Sequence, residues 1–159
     1  DKGTLLRYEE GYYTKFAIKG AKASSGVFFG VGTEPKETFY MGFDVPATAF
    51  QGGLLVSDDN PGELLISSLD PSLKCTFTIV GLRWNSSVTR TTDYKISGKE
   101  SQTFSLAVGT KDSNEIKNKY ITANNVSPDA NGNISIEVSR GDDNPYQAVI
   151  SAIRISPAQ

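Results

Sequence analysis

The side chains best suited to hold a polar ligand crowd into one stretch, where Arg83-Trp84-Asn85 is followed a few residues later by Arg90 and Tyr94. A flat aromatic ring stacks on the apolar face of a pyranose. Planar polar groups such as guanidinium and amide make fixed hydrogen bonds to its hydroxyls. Trp84 is the only tryptophan and precedes the polar run Asn85-Ser86-Ser87, where an exposed stacking ring would sit. The competing reading is a tryptophan that caps a core. For Arg83 and Arg90 the competing reading is a brace across a hairpin, by salt bridge or to backbone carbonyls, and for Arg90 the brace is the stronger of the two. Tyr12 and Tyr13 form a second aromatic pair with nothing periodic around it.

Two loops are near twins, Asp58-Asp59-Asn60-Pro61-Gly62 and Gly141-Asp142-Asp143-Asn144-Pro145. Each sets two carboxylates and an amide oxygen in a tight turn, which is hard-oxygen chemistry suited to calcium. Asp58, Asp59, Asp142 and Asp143 are the candidate metal ligands, although neither loop has the spacing of an EF-hand. The simpler reading is an Asx-turn, in which Asp and Asn bond their own backbone. Asn60 could also join a ligand site as part of a neighbouring polar loop.

Catalysis has little to work with. The chain contains no histidine and one cysteine, so Ser-His-Asp and Cys-His mechanisms are excluded and an ordinary zinc site cannot be assembled. Cys75 falls within the alternating run Lys74-Cys75-Thr76-Phe77-Thr78-Ile79-Val80 and reads as a buried structural thiol. The adjacent carboxylates lie on turns and suit solvent more than the two sides of a cleft, as glycoside hydrolysis would require. The chain is therefore expected not to be an enzyme.

The elements that must position these residues read as strands separated by turns rich in Gly, Asn, Asp and Pro. Expected strands cover 27–31, 38–45, 63–69, 74–84, 90–97, 102–108, 119–123, 134–139 and 147–155, with turns at 70–73 and 129–133. Residues 74–97 read as a hairpin that carries Arg83 to Tyr94 at one end. Cys75, Phe77, Ile79 and Gly81 would share one face, and Thr76, Thr78, Val80 and Leu82 the other. No convincing helix is visible, since 112–117 makes one turn at most. Residues 3–14 are either a loose lead-in or a first edge strand. An all-β sandwich or jelly roll, forming one domain over 1–159, fits this spacing.

Composition agrees with a globular domain: 159 residues, 38% hydrophobic, 21% charged, with a formal net charge of -2. Nucleic acid binding would need a basic stripe, and the Lys15, Lys19 and Lys22 cluster is offset by Glu9 and Glu10. No apolar run approaches the roughly 20 residues that span a bilayer. Neither nucleic acid nor membrane insertion is expected.

Several phrases occur together in a telling order. They are Ser67-Ser68-Leu69-Asp70-Pro71-Ser72-Leu73-Lys74-Cys75-Thr76-Phe77, then Gly81-Leu82-Arg83, then Arg90-Thr91-Thr92-Asp93-Tyr94-Lys95-Ile96-Ser97-Gly98. Val126-Ser127-Pro128-Asp129-Ala130-Asn131-Gly132-Asn133-Ile134 and Ala148-Val149-Ile150-Ser151-Ala152-Ile153-Arg154-Ile155 follow. In that order they resemble the galactose-binding-like β-sandwich modules appended to secreted polysaccharide-degrading enzymes and esterases. The chain departs from the pattern at Cys75, where a Tyr is expected, and at Leu82, where a Ser is expected. Nothing before Phe39 aligns.

The resemblance implies a non-catalytic carbohydrate-binding module, bacterial and secreted, periplasmic or on the cell surface. Its partners would be a polysaccharide or oligosaccharide and a catalytic domain in cis or in a complex, and modules of this kind often hold a structural Ca2+. The expected ligand set is Arg83, Trp84, Asn85, Arg90 and Tyr94, with Asn60 from a nearby loop. The alternative is a structural or interaction β-sandwich of a bacterial surface protein, without a glycan ligand.

Overall fold

The computed structural model describes residues 2–4, 17–22, 27–31, 52–56, 61–83, 86–112 and 119–158. These form twelve strands: β1 (Lys2–Thr4), β2 (Ala17–Lys22), β3 (Val27–Val31), β4 (Gly52–Val56), β5 (Gly62–Ser67), β6 (Cys75–Val80), β7 (Arg90–Ser97), β8 (Ser101–Gly109), β9 (Ile121–Val126), β10 (Ile134–Arg140), β11 (Ala148–Ile150) and β12 (Ala152–Pro157). No helix occurs among the described residues. β1 pairs with β2 at a sheet edge, so residues 2–4 of the lead-in are an edge strand. The expected strand at 38–45 and the expected turn at 113–117 lie outside the described residues.

Alternation dictates the layers. In β5, β7 and β10 every second residue is buried, the period of a strand with one face on a core. The inward set includes Ile66, Tyr94, Ile96, Ile134, Ile136 and Val138. One antiparallel sheet has the order β1-β2-β5-β10-β7-β8, and two smaller sheets have the orders β11-β4-β3 and β12-β6-β9. β11 packs across β7 and β10, and β9 packs across β7 and β8. The six-stranded sheet is thus one layer of a β-sandwich, and the two three-stranded sheets make the other. Phe77 and Ile79 of β6 enter the same core and are fully buried.

Two expected elements are corrected. Residues 74–97 are not a hairpin: β6 pairs with β9 and β12, whereas β7 pairs with β8 and β10. The strand expected to run from Lys74 to Trp84 ends at Val80 because the ladder ends there. The Leu82 amide donates to the Ser151 hydroxyl at 3.1 Å, and the Arg83 amide donates to the Val108 carbonyl at 2.5 Å. The chain then crosses from one layer to the other between 81 and 89. The true hairpin is β7–β8.

The expected final strand at 147–155 is likewise two strands. It breaks at Ser151, whose amide donates to Val80 O at 2.8 Å. On one side β11 pairs with β4, and on the other β12 pairs with β6. A strand that changes sheets in this way forms a corner of the sandwich.

The turns follow their predicted chemistry. Asp129 Oδ1 accepts from the amides of Asn131 and Asn133, both at 2.8 Å, and Gly132 takes the positive φ of 75° that glycine adopts without steric cost. Asp70 Oδ1 accepts from the amide and hydroxyl of Ser72. Those bonds favour the ionised carboxylate and hold its pKa below the usual value.

Candidate functional site

Strand register gathers several connections at one end of the sandwich. Arg90 lies opposite Gly109, Arg140 opposite Thr92, Gly62 opposite Val138 and Ala148 opposite Val56. The segments that follow β6, β8 and β10, and the one between β4 and β5, therefore all leave from this end. Arg83, Arg90, the Asp142-Asp143-Asn144 loop and the exposed Tyr120 belong to it.

Arg90 begins β7, and alternation puts Arg90, Thr92, Tyr94 and Ile96 on the inward face. As the first of these, Arg90 sits where the core meets solvent, with 9% of its surface exposed. Its guanidinium carbon lies 4.4 Å from the centroid of the Tyr146 ring, a cation–π contact. Tyr146 remains 48% exposed, so the guanidinium backs a ring that still offers surface to solvent. Arg90 Nε is buried and has no hydrogen-bond partner among the described residues. Burial first, and then the like charge of Arg83, draw the Arg90 pKa down, with Tyr146 acting the other way. A guanidinium keeps its proton nonetheless.

The loop that presents Tyr146 is fastened to the start of β7. The Gly141 amide donates to Thr91 O at 2.9 Å, and the Thr91 hydroxyl donates to Asp143 Oδ2 at 3.0 Å. Asn144 is buried and does most of the fastening. Its Nδ2 donates to Thr91 O and Gln147 O at 2.9 and 2.7 Å, and its Oδ1 accepts from the amides of Tyr146 and Gln147. The Val149 amide closes the set by donating to Thr92 Oγ1 at 3.0 Å. The Tyr146 backbone is therefore fixed before any ligand arrives.

No family model matches the chain, and no curated protein matches it. Similar solved structures include TmCBM61 in complex with β-1,4-galactotriose, 14% identical over 98% of this chain and 99% of that one, with a TM-score of 0.43. Another is Xyl-CBM35 in complex with a glucuronic-acid-containing disaccharide, 13% identical over 89% of this chain and 94% of that one, TM-score 0.45. A third is CBM35 from Cellvibrio japonicus Abf62, 14% identical over 89% and 94%, TM-score 0.42. Identities this low leave function to the geometry of the site itself.

That geometry divides the expected ligand set. Arg83 and Arg90 come together. Trp84, Asn85 and Asn60 lie outside the described residues. Tyr94 is corrected: its ring is fully buried and its hydroxyl donates to Val149 O, so it supports the core and cannot touch a ligand. The reason is alternation, since the same inward face that carries Arg90 to the mouth carries Tyr94 four residues deeper. The exposed aromatic beside Arg90 is instead Tyr146, absent from the expected set, whose sequence signal is an aromatic directly after a tight Asp-Asp-Asn-Pro turn.

At the second loop Asp143 and Asn144, expected as oxygen donors to calcium, are engaged in the turn itself. The Asn144 amide oxygen is occupied by two backbone amides and Asp143 holds Thr91, so the turn is an Asx-turn that satisfies itself. No cluster of three or more Asp, Glu, Cys or His side chains able to hold a metal occurs among the described residues. Asp58 and Asp59 lie outside them. Cys75 is buried, which raises its thiol pKa and keeps it protonated.

Proposed function

We propose that the protein is a non-catalytic carbohydrate-binding module whose ligand docks on the loop end of the sandwich, over Tyr146 and beside Arg83 and Arg90. The observation that carries the reading is the exposed Tyr146 ring, backed by the Arg90 guanidinium and held on a loop with a fully bonded anchor. A preformed aromatic platform suits a flexible sugar, because little further ordering is needed on the protein side. Trp84 and Asn85, next along the chain from Arg83, belong to the proposed ligand set, as does Asn60. The module would act by avidity, its weak grip on a polymer raising the local substrate concentration for a tethered or associated enzyme in a secreted setting.

A glycan array followed by titration of the best ligand tests this. Tyr146→Ala should cost about 1–3 kcal/mol of binding, the scale of a large aromatic contact, and leave the melting temperature nearly intact. Unchanged glycan affinity in this variant would move the site elsewhere. A large fall in melting temperature would make Tyr146 a structural brace. Trp84 fluorescence gives an independent check: the proposed role requires a ring that iodide quenches and that bound sugar protects.

A further inference from the structure

We infer that this site selects sugars carrying an oxyanion, a uronate carboxylate or a sulfate ester, with Arg83 and Arg90 supplying the counter-charge. The inference rests on the carbohydrate reading above and narrows it to a ligand class.

Two arginines start from neighbouring backbone positions at the mouth of the sandwich, since the Arg83 amide donates to Val108 O and Arg90 lies opposite Gly109, and the Arg83 charge acts on Arg90. Arg90 is nine-tenths buried, and its Nε is sealed from solvent without a partner among the described residues. A buried polar donor left unsatisfied is costly, and a cation in that state more so. The Tyr146 ring offsets part of the charge through its π face. The acidic groups of the adjoining loop are Asp142 and Asp143, and Asp143 is turned to the Thr91 hydroxyl. Among the described residues, Arg83 is the charged group that acts on the Arg90 guanidinium, and no carboxylate is paired with it. The site therefore joins a stacking surface to a pair of like charges that no carboxylate among the described residues neutralises, and a bound oxyanion would do so. A planar or tetrahedral oxyanion on a sugar ring fits both parts, since arginine donors match its geometry. A neutral sugar could use the same donors, but it would leave the two like charges uncompensated.

Affinity electrophoresis on matched polymers tests the inference. Polygalacturonate is compared with its fully methyl-esterified form, and a sulfated galactan with the same galactan after desulfation. At least one charged polymer should bind roughly tenfold more tightly than its uncharged counterpart, the scale of one charge-assisted contact. Which pair shows the preference identifies the oxyanion, and the preference should shrink as salt is added. Arg83 is half-buried and lies outside the core, so Arg83→Gln should fold and bring the ratio close to unity, while Arg83→Lys keeps much of it. Equal binding of charged and uncharged polymers overturns the inference and leaves the carbohydrate reading standing. Failure to bind any glycan, on the polymers and on the array alike, overturns both.

Discussion

Replacing Asn144 with Ala removes two donated and two accepted hydrogen bonds together, all in a buried position. Each buried group left unpaired costs about 1–3 kcal/mol, so Asn144→Ala should lower the melting temperature clearly. It should also weaken glycan binding, because Tyr146 loses its anchor. Tyr94→Phe separates core from site: losing the bond to Val149 O should cost about 1 kcal/mol and leave affinity unchanged. Burial pushes the Tyr94 phenol far above its ordinary value. A folded pKa above the unfolded one gives stability that is fully present below the unfolded pKa of about 10 and is lost as pH rises beyond it. Tyr94→Phe should therefore flatten the alkaline limb of a stability–pH curve measured by denaturant melts. Residue types alone showed that Arg83 and Arg90 could serve together. They could not separate Arg90 from Tyr94, because what differs is depth along one inward face. Tyr146 stayed hidden for the opposite reason: its value comes from Arg90 beneath it, 56 positions away in the chain.

Among the elements, strand existence was legible wherever turn chemistry bounded an alternating run, as at β5, β8 and β10. Pairing was not. The run from Lys74 to Trp84 and the run from Arg90 to Ser97 are separated by a polar loop, which is the signature of a hairpin. Nothing in periodicity distinguishes a turn back from a crossing to the opposite layer. Val80 and Leu82 carried the clue, since both are buried along with Cys75, Phe77 and Ile79 and a strand with one wet face would not need them. Gly81 makes the crossing fit. A Cβ there would sit 2.6 Å from Val149 O and 2.7 Å from Val108 Cγ1, and would collide with the Tyr94 hydroxyl. Since Val149 O is backbone and cannot turn aside, Gly81→Ala should destabilise by about 1–3 kcal/mol or more, read from denaturant midpoints. A variant as stable as the parent would mean that the crossing segment sits farther from β11 than described.

For the whole molecule, the all-β sandwich was legible from strand spacing and the absence of helical periodicity. The split of one layer into two sheets was not, because it depends on a single break at Ser151. The self-satisfied turn at 141–147 also sets an expectation for metal. Asp142→Asn with Asp143→Asn should leave the melting temperature almost unchanged, with or without chelator, since an ion held only by the native state must stabilise it by mass action. A chelator-sensitive melt in the parent that disappears in this double variant would place an ion at the turn after all. Ser151 has one more consequence. Two strands joined through Ser151 alone, β11 and β12, are stitched one into the sheet of β4 and the other into the sheet of β6, so neither small sheet can peel away without dragging the other. Native-state hydrogen exchange should therefore find the β4 and β6 amides opening with the same free energy, as one cooperative unit, and the outer layer should come apart in a single event.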